Sequence, residues 1–167
     1  MAAAHRLAMV EAAIAGDPLF RVDRGEITAG RPTYTVPMLR RLRAEHGPDR
    51  PLVLISGADS FLSLPTWHEW RSLFDLASIA VAARPGYELD RAGMDPALVA
   101  EFDTRVGPVA ALAIAPAGRI ATFPLTPLDV SSTALRERLG RGERPSPDLL
   151  PAPVLAYIET HRLYGRD

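Results

Sequence analysis

PLVLISGADSFLSLPTWHEW, residues 51–70, decides how this chain is read. Leu52, Val53, Leu54 and Ile55 form an unbroken apolar run, which predicts a strand buried on both faces. Ser56 and Gly57 end the run. Gly57 has no Cβ, so the backbone there can turn sharply and lie close to a ligand. Asp59 follows at the carboxyl end of the strand, the edge at which open α/β sheets bind ligands. A turn at Pro65 then brings Trp67, His68 and Trp70 within four residues. Strand, glycine turn, carboxylate and aromatic platform together describe the wall of a nucleotide site. The same residues also describe a buried strand, an N-cap aspartate and two core tryptophans, because aromatic clusters are mostly core. On this stretch alone both readings stand.

Working outward toward the amino terminus, residues 35–46 predict a helix with Thr35 as its N-cap. Pro37 is tolerated because first-turn amides have no helical partner. Met38, Leu39 and Leu42 form its buried stripe, and Arg40, Arg41 and Arg43 its wet face. Residues 28–34, with Gly30 and Pro32, read as a loop. Leu19–Val22 reads as a short strand after Pro18. Residues 2–16 predict a helix from Leu7, Val10 and Ile14 at helical spacing, stopped by Gly16. Toward the carboxyl terminus, residues 70–76 predict a helix and residues 77–83, ASIAVAA, a second buried strand. Arg84 follows at its carboxyl end, either beside a substrate anion or as a plain surface arginine. Residues 89–118 carry little signal beyond a short helix over 96–102. Residues 119–124, RIATFP, read as a further strand.

A second informative stretch is LDVSSTALRERL, residues 128–139. Ser131, Ser132 and Thr133 open a helix, with Leu135 and Leu139 on one face. No Glu or Gln lies three residues after Ser131 or Ser132, so no capping box engages the hydroxyls. Exposed first-turn amides, spare hydroxyls and the helix dipole suit an anion. Arg136, four residues after Ser132, adds a guanidinium suited to phosphate. The plainer reading is a capped helix with solvent-facing arginines. A last helix spans 154–161, with Leu163 and Tyr164 pinning the tail. Strands alternating with helices predict a parallel α/β sheet in one domain over 1–167, with both informative stretches at strand-to-helix turns on one edge.

Composition bounds the function. The 167 residues suffice for one hydrophobic core, and a net charge of −1 argues against bulk electrostatic binding of nucleic acid or a membrane surface. The absence of cysteine excludes disulfides, thiolate metal ligands and a cysteine nucleophile. No apolar run approaches the ~20 residues that span a bilayer, and MAAAHRLAMVEAAIAG has neither the basic region nor the apolar core of a signal peptide. A cytoplasmic enzyme is the expectation.

Several segments, in order, resemble bacterial nicotinate-nucleotide adenylyltransferases. They are PTYT at 32–35, GADSFLSLPTWHEW at 57–70, ARPGY at 83–87, DVSSTALRERL at 129–139 and LLPAPVLAYIETHRLY at 149–164. Each is weak alone; the combination is specific and spans nearly the whole chain. The resemblance implies a Rossmann-like nucleotidyltransferase fold, a parallel sheet flanked by helices. It implies transfer of the adenylyl group of ATP, with Mg²⁺, to nicotinate mononucleotide, giving deamido-NAD and pyrophosphate. Thr35, Trp67 and His68 would then hold the nicotinate ring, with Arg84 near the mononucleotide end. Gly57 and Asp59 would border the ribose and adenosine side, and Ser131, Ser132, Thr133 and Arg136 would bind the phosphates that leave.

In one respect the chain departs from the family, which opens with a strand, a Gly-Thr-Phe-Asp-Pro turn and a His-x-Gly-His segment that contacts the triphosphate. None of His5, His46, His68 and His161 sits in that pattern. No catalytic residue and no metal ligand is therefore assigned, and the family's first, central strand is expected to be missing. Either Met1 is an internal methionine of a longer reading frame or the gene has lost its head. Exposed strand neighbours would then favour a homo-oligomer. Two alternatives accompany the adenylyltransferase reading: a nucleotide-binding remnant without turnover, and a sister enzyme acting on nicotinamide mononucleotide or phosphopantetheine.

Overall fold

Residues 78–83, SIAVAA, form the middle strand of a parallel sheet. The computed structural model describes residues 2–29, 34–83, 89–126 and 131–165. Among these, Val53–Gly57 (β1), Ser78–Ala83 (β2) and Ile120–Pro124 (β3) pair in the order β1-β2-β3. Both pairings are parallel, with Ile55 opposite Ala80 and Ala80 opposite Ala121. The helices are Ala3–Ile14 (α1), Gly25–Ala29 (α2), Thr35–His46 (α3), Ala58–Leu62 (α4), Leu73–Leu76 (α5), Pro96–Arg105 (α6), Ser132–Gly140 (α7) and Ala152–Thr160 (α8). Short 3₁₀ turns include Leu64–Thr66, Trp70–Ser72 and Val109–Ala113.

The chain groups into two compact units, residues 29–127 and residues 1–28 with 128–167. The first contains the sheet. Directly opposed residues of parallel strands face the same side, so Leu54, Ile79 and Ile120 share one face. Ile79 and Ile120 pack there with Phe61, Phe74 and Leu98 in the main core. On the other face Ala80, Ala121 and Phe123 pack against Leu112 of the Val109–Ala113 turn. β2 is thus buried on both faces, as its unbroken run of small and β-branched residues predicts.

β1 is not. Val53 is 40% and Ile55 71% exposed, which corrects the expectation that residues 52–55 are covered on both sides. An apolar run reports propensity, whereas cover depends on which elements pack above it. The strand also runs on through Ser56 and Gly57. Gly57 keeps φ at −71°, so it uses no glycine-only conformation.

Three further local expectations are corrected. Leu19–Val22 is not a strand: Leu19 N donates to Asp17 Oδ1 at 2.9 Å and Phe20 N to Asp17 O at 3.2 Å, closing a turn that leaves Leu19 89% exposed. Residues 28 and 29, expected to open a loop, belong instead to the helical turn α2, and residues 30–33 lie outside the described residues. Tyr34, not Thr35, is the extended N-cap of α3, and no side chain caps that helix.

Arg43 is not a solvated surface residue. Its Nε donates to Leu76 O at 3.2 Å, Nη1 to Gly47 O and Pro48 O, each at 3.2 Å, and Nη2 to Pro116 O at 2.8 Å. One guanidinium therefore ties the end of α3 to the end of α5 and to the loop before β3. Arg40 and Arg41 do lie on the outer face, paired with Glu69 and Glu45.

In the second unit α1 packs on α8, whose Val154 and Ile158 are buried. His5 Nδ1 lies 3.0 Å from Tyr157 OH, and the Tyr157 and His161 rings stand 4.2 Å apart. Leu163 and Tyr164 are partly buried, in keeping with a pinned tail.

Candidate functional site

Residues 51–70 contribute one wall of a hollow in the sheet-containing unit. Ser63 ends α4 and organises the turn after it. Its carbonyl accepts from Thr66 Oγ1 at 2.7 Å, and its Oγ accepts from Trp67 Nε1 at 3.3 Å. Pro65 lies inside the Leu64–Thr66 turn and presets its backbone. Trp67 is thereby held half-buried at the surface, with His68 exposed beside it.

Trp70 goes the other way. It is buried, with its ring edge-on to Phe74 at 6.2 Å. The three-ring platform is accordingly two residues wide: Trp70 belongs to the core, and Trp67 packs against the edge of that core while lining the surface.

The facing wall comes from the start of α3. Tyr34 stacks on His68 with ring centroids 4.8 Å apart. Tyr34, Thr35, Thr66, Trp67 and His68 together line a hollow of about 310 Å³. The structure thus brings together Thr35, Trp67 and His68, three residues singled out in the sequence. It adds Tyr34 and Thr66, which adjoin them in the chain but carried no separate signal. Flat aromatic faces with three hydroxyls and an imidazole suit a planar, polar-edged ring.

Beside His68, Glu69 adopts the left-handed conformation, φ 52° and ψ 35°. Its carboxylate accepts from Arg40 and lies 3.0 Å from His68 Nε2. The Arg40 hydrogen bond chiefly, with its charge and that of His68, holds the Glu69 carboxyl below its usual range.

Gly57 and Asp59 stand at the β1–α4 corner, the carboxyl end of the strand. A Cβ built on Gly57 meets nothing within 4 Å, so the space in front of this backbone is open. Asp59 is exposed in the first turn of α4. Arg84 lies outside the described residues, as do Pro32 and Thr33 of the PTYT segment.

In the other unit, Ser131 is the N-cap of α7, and its Oγ accepts from Ala134 N at 3.0 Å. That hydroxyl is therefore engaged in capping, not spare as expected. Ser132 and Thr133 follow as exposed first-turn residues. Arg136 Nε donates to Ser132 O at 2.9 Å, which anchors the guanidinium over the helix start. Ser132 and Arg136 line a cleft of about 950 Å³ together with His5, Arg6, Val154 and Ile158. Thr133 and Arg136 also line a neighbouring hollow of about 480 Å³. His5 and Arg6 had no sequence signal, because only folding sets α1 beside α8. A helix start carrying a fixed arginine is suited to phosphate.

Residues 1–138 match the cytidylyltransferase-like family model. The chain is 45% identical to a probable nicotinate-nucleotide adenylyltransferase of Dechloromonas aromatica, over 97% of this chain and 75% of that protein. It is 44% identical to one of Yersinia enterocolitica, over 97% of this chain and 73% of that protein. Among solved structures, Plasmodium falciparum nicotinic acid mononucleotide adenylyltransferase complexed with APC superposes with a TM-score of 0.63 at 16% identity, over 98% of this chain and 76% of that one. That likeness fixes the fold, a Rossmann-like parallel sheet flanked by helices. With sequence identity this high over nearly its full length, the chain belongs to the nicotinate-nucleotide adenylyltransferase family.

Proposed function

We propose that this chain transfers the adenylyl group of ATP to nicotinate mononucleotide, forming deamido-NAD and pyrophosphate in the cytoplasm. The observation that carries this reading is the hollow itself. Its walls are Tyr34 and Thr35 of PTYT and Thr66, Trp67 and His68 of PTWHEW, the two segments that the family resemblance links to the nicotinate ring.

In this reading a phosphate oxygen of the mononucleotide bonds to the α-phosphorus of ATP. The bond from that phosphorus to the oxygen bridging to the β-phosphate breaks, and pyrophosphate leaves. The protein's part is to position the two substrates and to stabilise charge. Thr35, Trp67 and His68 hold the ring, with Arg84 near the mononucleotide end. Asp59 accepts from sugar hydroxyls, and Gly57 lets the adenosine side approach the backbone. The first-turn amides of α7 at Ser132 and Thr133, with Arg136, take the departing phosphates. Ser131 acts there as the cap that shapes the turn. Among the described residues no group of three or more His, Asp or Glu could hold a metal ion. Mg²⁺ enters this reading with ATP, as the MgATP substrate, bound by phosphate oxygens and water.

The test is pyrophosphate release by the purified chain with MgATP and, in separate reactions, nicotinate mononucleotide, nicotinamide mononucleotide or phosphopantetheine. Release with the first is expected. Release only with one of the others assigns a sister enzyme. Binding of nicotinate mononucleotide without release from any acceptor assigns a non-catalytic remnant.

A further inference from the structure

Glu69 carries a side chain in left-handed backbone geometry, φ 52° and ψ 35°. Such a residue persists only where its surroundings over-determine it. Here they do. Arg40 Nη2 donates to Glu69 Oε2, and Nη1 reaches Oε1 at 3.5 Å. The same Oε1 lies 3.0 Å from His68 Nε2. The imidazole also stacks on Tyr34, with ring centroids 4.8 Å apart.

These contacts close a circuit. Tyr34 and Thr35 lead α3, and Arg40 lies farther along the same helix. Thr66, Trp67 and His68 form the opposite wall, and Glu69 is the next residue. Among the described residues, no backbone hydrogen bond joins residues 34–35 to residues 66–69. Neither Arg40 nor Glu69 lines the hollow. Their ion pair ties the two walls together from outside.

We infer that Arg40 and Glu69 are positioning residues whose ion pair sets the gap between the walls of the ring hollow, and with it the affinity for the pyridine mononucleotide. The identity of that ligand rests on the function proposed above. The geometry of the tie does not.

Calorimetry on the full chain tests the inference, with nicotinate mononucleotide and ATP titrated separately into wild type, Arg40→Gln, Glu69→Gln, the double variant and Arg40→Lys. Each Gln substitution is expected to weaken mononucleotide binding about fivefold, the upper range for exposed pairs, with ATP affinity unchanged. The double variant should bind no more weakly than either single one, since both remove the same tie. Arg40→Lys, which keeps the charge, should stay within about twofold of wild type. Unchanged affinity in the single variants, or additive losses in the double, would overturn the inference.

A ligand-free readout separates it from the functional reading. Acrylamide quenching reports on Trp67, which lines the hollow, against buried Trp70 as background. Quenching should rise in both Gln variants and stay near wild type in Arg40→Lys. If wild type fails to bind the mononucleotide, the proposed function is wrong, and quenching still decides the tie: raised quenching upholds it and unchanged quenching removes it.

Discussion

Replacing Arg43 with methionine keeps an apolar stem of similar length and deletes the guanidinium. Nη1 and Nη2 donate to carbonyls at Gly47, Pro48, Arg50 and Pro116, and Nε and Nη2 both donate to Leu76 O. The contacts to Pro48, Arg50 and Pro116 are exposed, so those carbonyls return to water at little loss. The contacts to Leu76 and Gly47 are partly buried. Leu76 O is also among the unpaired carbonyls at the end of α5, where the helix dipole favours a cation. Two carbonyls held by charge-assisted hydrogen bonds, at about 1.5 kcal/mol each, give a loss of about 3 kcal/mol for Arg43→Met. Arg43→Lys keeps the charge but cannot fork, and should lose about half as much. Urea unfolding followed by tryptophan fluorescence reads the unit directly, since Trp67 and Trp70 both belong to it. The expected result is a lower midpoint with an unchanged slope. An unfolding free energy for Arg43→Met within about 0.5 kcal/mol of wild type would show that the carbonyls are equally well satisfied by water, and the clamp would be a surface arginine after all.

The site makes further predictions. Trp67→Ala should weaken nicotinate mononucleotide and spare ATP by calorimetry, and equal loss of both would reject the ring assignment. Arg136→Ala should weaken ATP chiefly, and unchanged ATP affinity would remove it from the phosphate site. Gly57→Ala adds a Cβ into open space at an ordinary φ of −71°. Its stability should therefore hold or rise slightly, by up to about 1 kcal/mol, while nucleotide affinity falls; loss of stability instead would place the need for glycine in the fold rather than in the ligand. Because Glu69 has a depressed pKa in the folded chain, its ion pair contributes fully above the ordinary value of 4.5 and is lost as pH falls through the lower folded value. NMR titration of its side chain should give a midpoint below 4.5, and a midpoint at or above that value would contradict the Arg40 contact.

Much of this chain is legible one residue at a time. The helices over 3–14, 35–46 and 132–140 and the strands over 78–83 and 120–124 follow from apolar spacing, caps and β-branched runs, which are local properties. The family segments are local too, so Thr35, Trp67, His68, Ser132 and Arg136 could be named from the chain alone. What folding decided is which of these local elements face one another. Trp67 and Trp70 are chemically identical and three positions apart, yet one lines a hollow and the other fills the core, because the Ser63 hydrogen bonds and the Glu69 corner turn the backbone between them. Ile55 belongs to an apolar run and is exposed, because burial requires a covering element and not merely a hydrophobic side chain. Arg43 sits in a row of arginines at helical spacing, and only the approach of carbonyls 33 and 73 residues away makes it a clamp. Composition and spacing are written along the chain, but partnership between distant groups exists only once the chain has closed on itself.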